Sequence, residues 1–205
     1  MKILIINGSP KNNGNTARSL AEAETIFAAE GIEVENVHIG DKMIRGCIAC
    51  QACKKTGKCA IDDLVNEVAA KFETCDGLVA ASPVYYASAN GTLISLLDRL
   101  FYSARCPKTM KVGACVVPAR RGGCSATFDE LNKYFTISEM PVASSTYWNI
   151  IHGAKPGQAA EDAEGIRTVR NLAKNMSYMI KAFAAAKDAV ELPEPEPKAF
   201  TNFIR

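Results

Sequence analysis

The sequence has no strong excess of charge of either sign and no long hydrophobic run. Its 24 Lys and Arg residues are balanced by 22 Asp and Glu, giving a net charge of +2, and no long basic run is present. Proteins that bind nucleic acid usually carry a clustered basic surface, so we expect no nucleic-acid partner. The longest apolar stretches are strand-sized, far below the roughly 20 residues of a membrane span, so we expect no membrane association.

The start of the chain also lacks the features of a secretory signal. The segment MKILIING is too short and too quickly polar for a signal peptide. We therefore predict a cytoplasmic protein. In that compartment thiols stay reduced, so the eight cysteines are not expected to form a disulfide scaffold.

The composition is that of a globular protein with a full core. Of 205 residues, 48% are hydrophobic and 22% are charged, which excludes an intrinsically disordered chain. The length favours one mid-sized domain, and no internal repeat or low-complexity tract is present.

Short apolar runs alternate with helical patterns along most of the chain. A continuous apolar run such as KILIIN is typical of a strand buried on both faces of a parallel sheet. The strands are predicted near 2–7, 32–38, 77–82, 111–117 and 141–147, and the helices near 15–30, 61–73, 91–104, 124–136 and 158–186. Five strands interleaved with helices predict an α/β sandwich around one parallel sheet.

Two segments fall outside this alternation. Residues 40–60 form a cysteine-rich insertion in a single domain that spans residues 1–186. Residues 187–205 contain three closely spaced prolines and are predicted to be an extended C-terminal tail. Two interpretations of the tail remain open: a free end, or an arm that docks on a neighbouring subunit through Phe200, Phe203 and Ile204.

The loop after the first strand has the features of a phosphate site. Residues 7–16 connect a buried strand to a helix, whose unpaired N–H groups and dipole attract an anion. Ser9, Asn15 and Thr16 supply further donors. The loop matches neither G-x-x-x-x-G-K-[ST] nor G-x-G-x-x-G, which disfavours a P-loop NTPase and a dinucleotide fingerprint. An ordinary helix-capping turn is the alternative.

Two further loops are expected at the same edge of the sheet. In a doubly wound sheet of order 2-1-3-4-5, the first and third strands are neighbours, and ligands bind at their carboxyl ends. Residues 82–91 contain a proline-fixed turn with two tyrosines, which offers flat faces to a planar ring; surface packing of Tyr85 and Tyr86 is the alternative. Residues 118–124 add glycines that permit close approach and arginines that could meet an anion.

Two motifs together resemble a known family. They are Gly8-Ser9-Pro10 through Gly14-Asn15-Thr16, and Ser82-Pro83-Val84-Tyr85 with Gly91 before Leu96-Leu97-Asp98-Arg99. In this register they resemble the NADPH-dependent FMN reductase branch of the flavodoxin-like proteins, over the chain up to about residue 185. The resemblance implies a flavodoxin-like three-layer sandwich, FMN as cofactor and a homodimer or homotetramer. The FMN-binding residues that it implies are Ser9, Lys11, Gly14, Asn15, Thr16, Pro83, Val84, Tyr85, Tyr86, Ala119, Arg120 and Gly122.

The cysteine-rich insertion is similar to a narrower group. Cys47, Cys50, Cys53 and Cys59 form a C-x2-C-x2-C-x5-C motif like that of iron–sulfur flavoproteins, and the resemblance implies that they ligate a [4Fe–4S] cluster. Zinc sites more often use two separated C-x2-C knuckles, so zinc fits less well. Unligated thiols or a redox pair also remain open. The scattered cysteines, Cys75, Cys106, Cys115 and Cys124, are expected to be small buried apolar residues.

Three functional hypotheses follow. The first is an oxidoreductase in which NAD(P)H passes a hydride to FMN, and the reduced flavin passes electrons to an unidentified small-molecule or protein acceptor; this chemistry needs no general acid or base. The second is an iron–sulfur flavoprotein that carries electrons between FMN, a [4Fe–4S] cluster and a ferredoxin-like partner. The third is a non-catalytic nucleotide or phosphate binder in which the cysteines stabilise a loop. His152 is expected to make a structural hydrogen bond.

Overall fold

The computed structural model of the chain describes residues 1–197 and 199–203, so Lys198, Ile204 and Arg205 lie outside the described residues. Its elements in chain order are β1 (Lys2–Asn7), α1 (Asn15–Ala29), β2 (Glu33–His38), α2 (Ala52–Thr56), α3 (Leu64–Glu73), β3 (Gly77–Ala81), β4 (Val84–Tyr85), β5 (Ser88–Ala89), α4 (Gly91–Ser103), β6 (Val112–Ala119), α5 (Cys124–Thr136), β7 (Ile150–His152), a 3₁₀ turn (Gln158–Glu161) and α6 (Ala163–Ala186).

Five of the strands form one parallel sheet. The order is β2-β1-β3-β6-β7, and β4 and β5 form a separate antiparallel hairpin. When only the sheet strands are counted, this order is 2-1-3-4-5, so the predicted α/β fold with a flavodoxin-like sheet is confirmed. The carboxyl ends of β1, β3 and β6 therefore lie side by side at one edge of the sheet.

Helices cover both faces of the sheet because the central strands are apolar on both sides. In β1, Leu4 and Ile6 belong to a core shared with α3, α4 and α5, whereas Ile3 and Ile5 belong to a core shared with α1 and α6. Alternate side chains of a strand point to opposite faces, so a run of four aliphatic residues fills both cores. The result is the expected three-layer sandwich.

The last strand differs from its prediction at 141–147. Only Val142 of that segment bridges to the sheet, at Gly113, and the regular strand β7 begins at Ile150 and pairs with the end of β6. The intervening sequence SSTYWN is largely polar and leaves the sheet, exposing Tyr147 and Trp148. Aromatic and β-branched residues are typical of strands, but those of this segment do not pack into either core of the sheet.

Two helices also begin later than predicted, and two short elements were not predicted. The helix expected at 61–73 begins at Leu64, after the cap residue Asp63, whose carboxylate accepts from the N–H of Val65. The helix expected at 158–186 is divided by Asp162, which caps α6 by accepting from the N–H of Gly165. The short helix α2 lies inside the cysteine-rich insertion, and the β4–β5 hairpin lies inside the segment 82–91, which the sequence predicts to be a loop.

The chain beyond α6 makes no regular structure where it is described. Residues 191–197 and 199–203 form neither helix nor strand, and Phe200 and Phe203 are exposed. Ile204, the third residue of the predicted arm, lies outside the described residues. Docking of the tail on a second subunit therefore stays a prediction. In the described ranges, no helix is both long and apolar enough to cross a membrane.

Gly113 in β6 is required by the packing of α5 against the sheet. A Cβ at this position would lie 2.5 Å from Cγ of Phe135, a buried ring. Because overpacking a core costs about 1–3 kcal/mol, Gly113→Ala is expected to lower the free energy of unfolding in urea by this amount. The control Gly91→Ala places its Cβ where no atom lies within 4 Å, and it should be neutral or stabilising by less than about 1 kcal/mol. An equal loss in both variants would contradict the packing argument.

Candidate functional site

Loops that follow β1, β3, β6 and β7 meet around one cavity at the carboxyl edge of the sheet. We call it the sheet-edge cavity; its volume is about 190 Å³. The N–H of Gly8 donates to the carbonyl of Ala81 at 2.8 Å, which joins the first two loops directly. The cavity is lined by Ser9, Pro10, Lys11, Gly14, Asn15, Thr16, Pro83, Val84, Tyr85, Pro118, Ala119, Arg120, Gly153 and Ala154. The structure thus brings together all of the predicted FMN-binding residues except Tyr86 and Gly122.

The first loop presents several free donors to this cavity. In the described part of the chain, the N–H groups of Asn15, Thr16 and Ala17 have no acceptor, as is usual in the first turn of a helix. Thr16 is only 1% exposed, and its hydroxyl has no hydrogen-bond partner among the described residues. Ser9 is held by a hydrogen bond from its N–H to Oδ1 of Asn7 (3.0 Å). These donors lie where the loop sequence predicts an anion site, and the phosphate contact itself stays a prediction.

The side chain of Asn15 has a different role from the predicted phosphate contact. Its Nδ2 donates to the carbonyl of Gly153 at 2.7 Å, and its Oδ1 accepts from the N–H of Ala159 at 3.1 Å. Both ends of the amide are therefore used to hold the loop after β7 against α1, and only the backbone N–H is left for an anion. A Cβ on Gly153 would lie 2.7 Å from both of these nitrogen atoms, so this contact requires glycine.

The second loop is a rigid hairpin whose tip points away from the cavity. Tyr86 and Ala87 have φ angles of 50° and 61°, as both central residues of a type I′ turn must. Glu130 on α5 fixes the hairpin by accepting from the Ser88 hydroxyl (2.9 Å) and the Ala89 N–H (2.7 Å). Tyr85 lines the cavity, whereas Tyr86 is fully exposed at the tip. The left-handed turn explains why only one of the two tyrosines reaches the cavity.

The third loop packs closely on this hairpin. Gly123 has a φ of 85°, and a Cβ there would lie 2.8 Å from Cγ1 of Val84, so the loop depends on glycine. Arg120 lines the sheet-edge cavity, but Gly122 borders a neighbouring cavity of about 340 Å³, together with His152. His152 is exposed and donates its backbone N–H to Asp162. The expected structural hydrogen bond is therefore made by the His152 backbone.

A second histidine stabilises the first loop, and no sequence pattern indicates this role. Nε2 of His38, at the end of β2, lies 2.7 Å from the carbonyl oxygen of Ser9. This contact joins the first loop to the edge strand of the sheet. Only the register between β1 and β2, which pairs Asn7 with His38, brings these residues together.

The four clustered cysteines line a separate cavity. Cys47, Cys50, Cys53 and Cys59 are all free thiols around a space of about 380 Å³, which we call the cysteine cavity. The loop turns sharply between them, because Ala49 and Gln51 both have positive φ angles. As the side chains are placed, no three Cys, His, Asp or Glu residues within 1–197 and 199–203 are close enough together to hold a metal ion.

A buried arginine anchors the insertion that carries these cysteines. Arg99 on α4 is 1% exposed and forms a bidentate pair with Asp63, with distances of 2.6 and 2.8 Å. Its other donors reach the carbonyls of Arg45 and Ile61 and, at 3.2 Å from Nε, the Sγ of Cys59. Burial disfavours the charged form, but hydrogen bonds to Asp63 and Cys59 outweigh burial and raise the pKa of Arg99. From the sequence, Arg99 is identified only as part of the Leu96-Leu97-Asp98-Arg99 motif.

The remaining cysteines are mostly interior residues. Cys75, Cys115 and Cys124 are buried, as expected, whereas Cys106 is only half-buried. Burial raises the pKa of Cys75 to about 11 and also raises the pKa of Cys115. A thiol with a raised pKa is protonated at neutral pH and is a weak nucleophile and ligand. The chemistry of this chain's thiols is therefore concentrated in the cysteine cavity.

Comparison with known proteins agrees with this arrangement. Residues 1–155 match the family described as NADPH-dependent FMN reductase. The chain is 35% identical to an iron–sulfur flavoprotein of Methanocaldococcus jannaschii, covering 88% of this chain and 98% of that protein. It is 30% identical to an iron–sulfur flavoprotein of Methanosarcina thermophila, covering 92% of this chain and all of that protein.

A solved flavodoxin from the domain Archaea shares the fold. It superposes with a TM-score of 0.60 at 13% identity, covering 88% of this chain and 99% of the flavodoxin. At that identity the likeness concerns the fold alone. With the matches above, the chain belongs to the NADPH-dependent FMN reductase family, in its iron–sulfur flavoprotein branch, and is an FMN-dependent oxidoreductase.

Proposed function

We propose that the protein takes electrons from NAD(P)H onto FMN bound in the sheet-edge cavity and passes them to an acceptor. The observation that carries this proposal is the convergence of four loops on one cavity whose floor is an uncapped helix start. In doubly wound sheets, ligands bind at this topological switch point. The family match supports FMN as the ligand.

The phosphate of FMN is expected at the first turn of α1. The free N–H groups of this turn, the partnerless Thr16 hydroxyl and the helix dipole all favour a dianion there. Lys11 and Arg120 add positive charge at the wall of the cavity. Asn15 acts indirectly, because it holds the loop after β7 in place rather than contacting the phosphate.

The flavin ring is expected against the hairpin. Pro83, Val84 and Tyr85 form one wall of the cavity, and Glu130 keeps that wall rigid through the hairpin backbone. When bound, FMN accepts a hydride from a nicotinamide and supplies electrons to the acceptor. The residues of this chain therefore bind and orient the ring, and the flavin itself supplies the redox chemistry.

Reduction of the bound flavin by pyridine nucleotide tests the hydride step. Protein loaded with FMN and kept free of oxygen is mixed with NADPH or NADH, and flavin absorbance is followed by stopped flow. We expect the flavin to be bleached by at least one of the two. If dithionite bleaches the flavin but neither nucleotide does, NAD(P)H is not the electron donor. The electron acceptor would then be sought with the dithionite-reduced protein.

A second candidate function is favoured by the cysteine cavity. We propose that Cys47, Cys50, Cys53 and Cys59 hold a [4Fe–4S] cluster, so that the protein carries electrons between FMN and a ferredoxin-like partner. The donor set fits, because four free thiols and no histidine or carboxylate line this cavity. When bound, a cluster exchanges single electrons. The near full-length similarity to proteins named iron–sulfur flavoproteins supports the proposal.

Both candidate functions require bound FMN, but only the electron carrier requires iron. Iron and sulfide are measured after anaerobic reconstitution and desalting, beside the flavin spectrum. About four irons per chain support the electron-carrier function, and no retained iron leaves the FMN reductase as the function.

We also propose a cytoplasmic homodimer or homotetramer. Light scattering at several concentrations tests the assembly, and a monomer throughout would contradict it.

A further inference from the structure

Ser103, a residue that lines the cysteine cavity, carries a buried hydroxyl without a hydrogen-bond partner among the described residues. It is the last residue of α4 and is 2% exposed, and its Oγ has no hydrogen-bond partner within residues 1–197 and 199–203. Other buried helical serines of this chain donate to the carbonyl four residues earlier, as Ser19 does to Asn15 and Ser177 does to Ala173, both at 2.7 Å. That bond is the usual way to satisfy a serine inside a helix. Ser103 does not make it, although it borders the cavity.

An unpaired hydroxyl in a protein interior is costly. Leaving a buried donor without an acceptor costs about 1–3 kcal/mol, so native structures rarely contain one without a reason. The acceptors that a cluster brings to this cavity are sulfur atoms, both thiolate and sulfide. Because Ser103 lines this cavity, its hydroxyl is a donor for which an iron–sulfur cluster would supply the missing acceptor.

Arg99 lies one turn before Ser103 on the same helix and borders the same cavity. A guanidinium has five N–H donors. Four of them hold the insertion, through Asp63 and the carbonyls of Arg45 and Ile61, and the fifth reaches the Sγ of Cys59. Because the four anchoring bonds fix the plane of the guanidinium, the direction of the bond to Cys59 is fixed as well.

We propose that Arg99 and Ser103 are positioning residues for the iron–sulfur cluster, Arg99 by holding Cys59 and both by donating hydrogen bonds to sulfur. This inference rests on the iron–sulfur candidate proposed above. Hydrogen bonds to the sulfurs are one of the factors that set the reduction potential of a cluster. Donors stabilise the extra negative charge of the reduced state. The two residues thus raise the electron affinity of the cluster.

The test compares variants after anaerobic reconstitution with iron and sulfide. In each, a one-electron reduction by dithionite is followed through redox mediators, and iron and FMN per chain are measured. We expect Ser103→Ala to keep its iron but to shift the equilibrium about tenfold toward the oxidised cluster, which is 59 mV for a one-electron couple. Ser103→Thr retains the hydroxyl and should keep the wild-type potential.

The matched control removes a buried serine that lies outside the cavity. Ser177→Ala on α6 loses a hydroxyl of the same depth, and it should leave the cluster potential unchanged. Arg99→Lys keeps the positive charge but cannot form the fork to Asp63. We expect it to retain less than half of the wild-type iron while binding FMN normally, because the sheet-edge cavity is built from other residues.

The outcomes separate this inference from the function on which it rests. If the wild-type chain retains no iron, the iron–sulfur candidate fails and the inference fails with it. If the wild type retains iron but Ser103→Ala has an unchanged or higher potential, the role of Ser103 is wrong and the candidate function stands. If Arg99→Lys keeps both the iron and the potential, Arg99 serves the fold alone.

Discussion

Cys50→Ser is expected to abolish the iron taken up on reconstitution while leaving FMN in place. A cluster of this kind is held by thiolates, and a serine oxygen is a harder ligand that soft iron–sulfur centres disfavour. Cys50 lies in the loop between two left-handed residues, Ala49 and Gln51, so no neighbouring cysteine can take its position without refolding the turn. Iron should fall from about four per chain to less than about one.

The flavin should not respond to this change. The cysteine cavity and the sheet-edge cavity are lined by different residues, and none is shared between them. Cys106→Ser is the matched control, since Cys106 is a free, half-buried cysteine that lies outside the cysteine cavity. It should retain full iron and full FMN. Iron and sulfide assays with a visible spectrum measure both quantities in one sample.

Two results would contradict this prediction. If Cys50→Ser lost FMN and iron in equal measure, the insertion would act as a scaffold for the whole domain. If it kept its iron, the four-cysteine ligand set would be wrong. Neither result removes the iron of the wild-type chain, so each would revise the role of these cysteines and leave both candidate functions standing.

The fold could be predicted from the sequence because the strongest sequence patterns are local ones. The run KILIIN fills both cores from one strand, and alternating strands and helices allow few topologies. The edge strand β7 was harder to predict than the central strands. An edge strand has one neighbouring strand and is less buried. The segment 141–147 has the amino-acid composition of a strand, but it lacks the alternation of apolar and polar residues from which the ends of a strand are predicted.

The sequence predicts most of the residues that line the sheet-edge cavity. It does not predict the hydrogen bonds that these residues and Arg99 make to distant parts of the chain. Adjacent carboxyl ends of strands follow from strand order, which is why most predicted residues meet at one cavity. The amide of Asn15 instead bonds residues that lie 138 and 144 positions further along the chain. Arg99 reaches Asp63 and Cys59 across 36 and 40 positions. No local pattern encodes such partners, and the position of Tyr86 at the hairpin tip depends on a positive φ that is unusual for tyrosine.

Thr16→Ala is expected to weaken FMN binding by about 10- to 100-fold. A hydrogen bond to a charged group contributes about 1.5–3 kcal/mol, and Thr16 is a residue of the cavity wall whose hydroxyl has no partner among the described residues. The change removes the hydroxyl and one methyl group, so the fold should persist. The dissociation constant is measured by fluorescence quenching of FMN on titration with apoprotein.

Asn15→Ala should also weaken the binding of FMN, but for a different reason. It leaves the Gly153 carbonyl and the Ala159 N–H without their partner, at a cost of about 1–3 kcal/mol to folding. We therefore expect a clearly lower melting temperature for Asn15→Ala and a smaller decrease for Thr16→Ala, which loses one buried methyl group. If both variants melted alike, the division between a binding residue and a structural residue would be wrong.

Riboflavin, which lacks the phosphate, decides whether Thr16 acts on the phosphate itself. If it does, Thr16→Ala weakens FMN but leaves riboflavin affinity unchanged, because the lost donor had nothing to bind in riboflavin. Thr25→Ala, on the same helix but exposed, is the control and should change neither affinity. Equal weakening of FMN and riboflavin would place Thr16 at the ring. Unchanged affinity for both would mean that the phosphate lies away from the start of α1, and the predicted orientation of the flavin would have to be reversed.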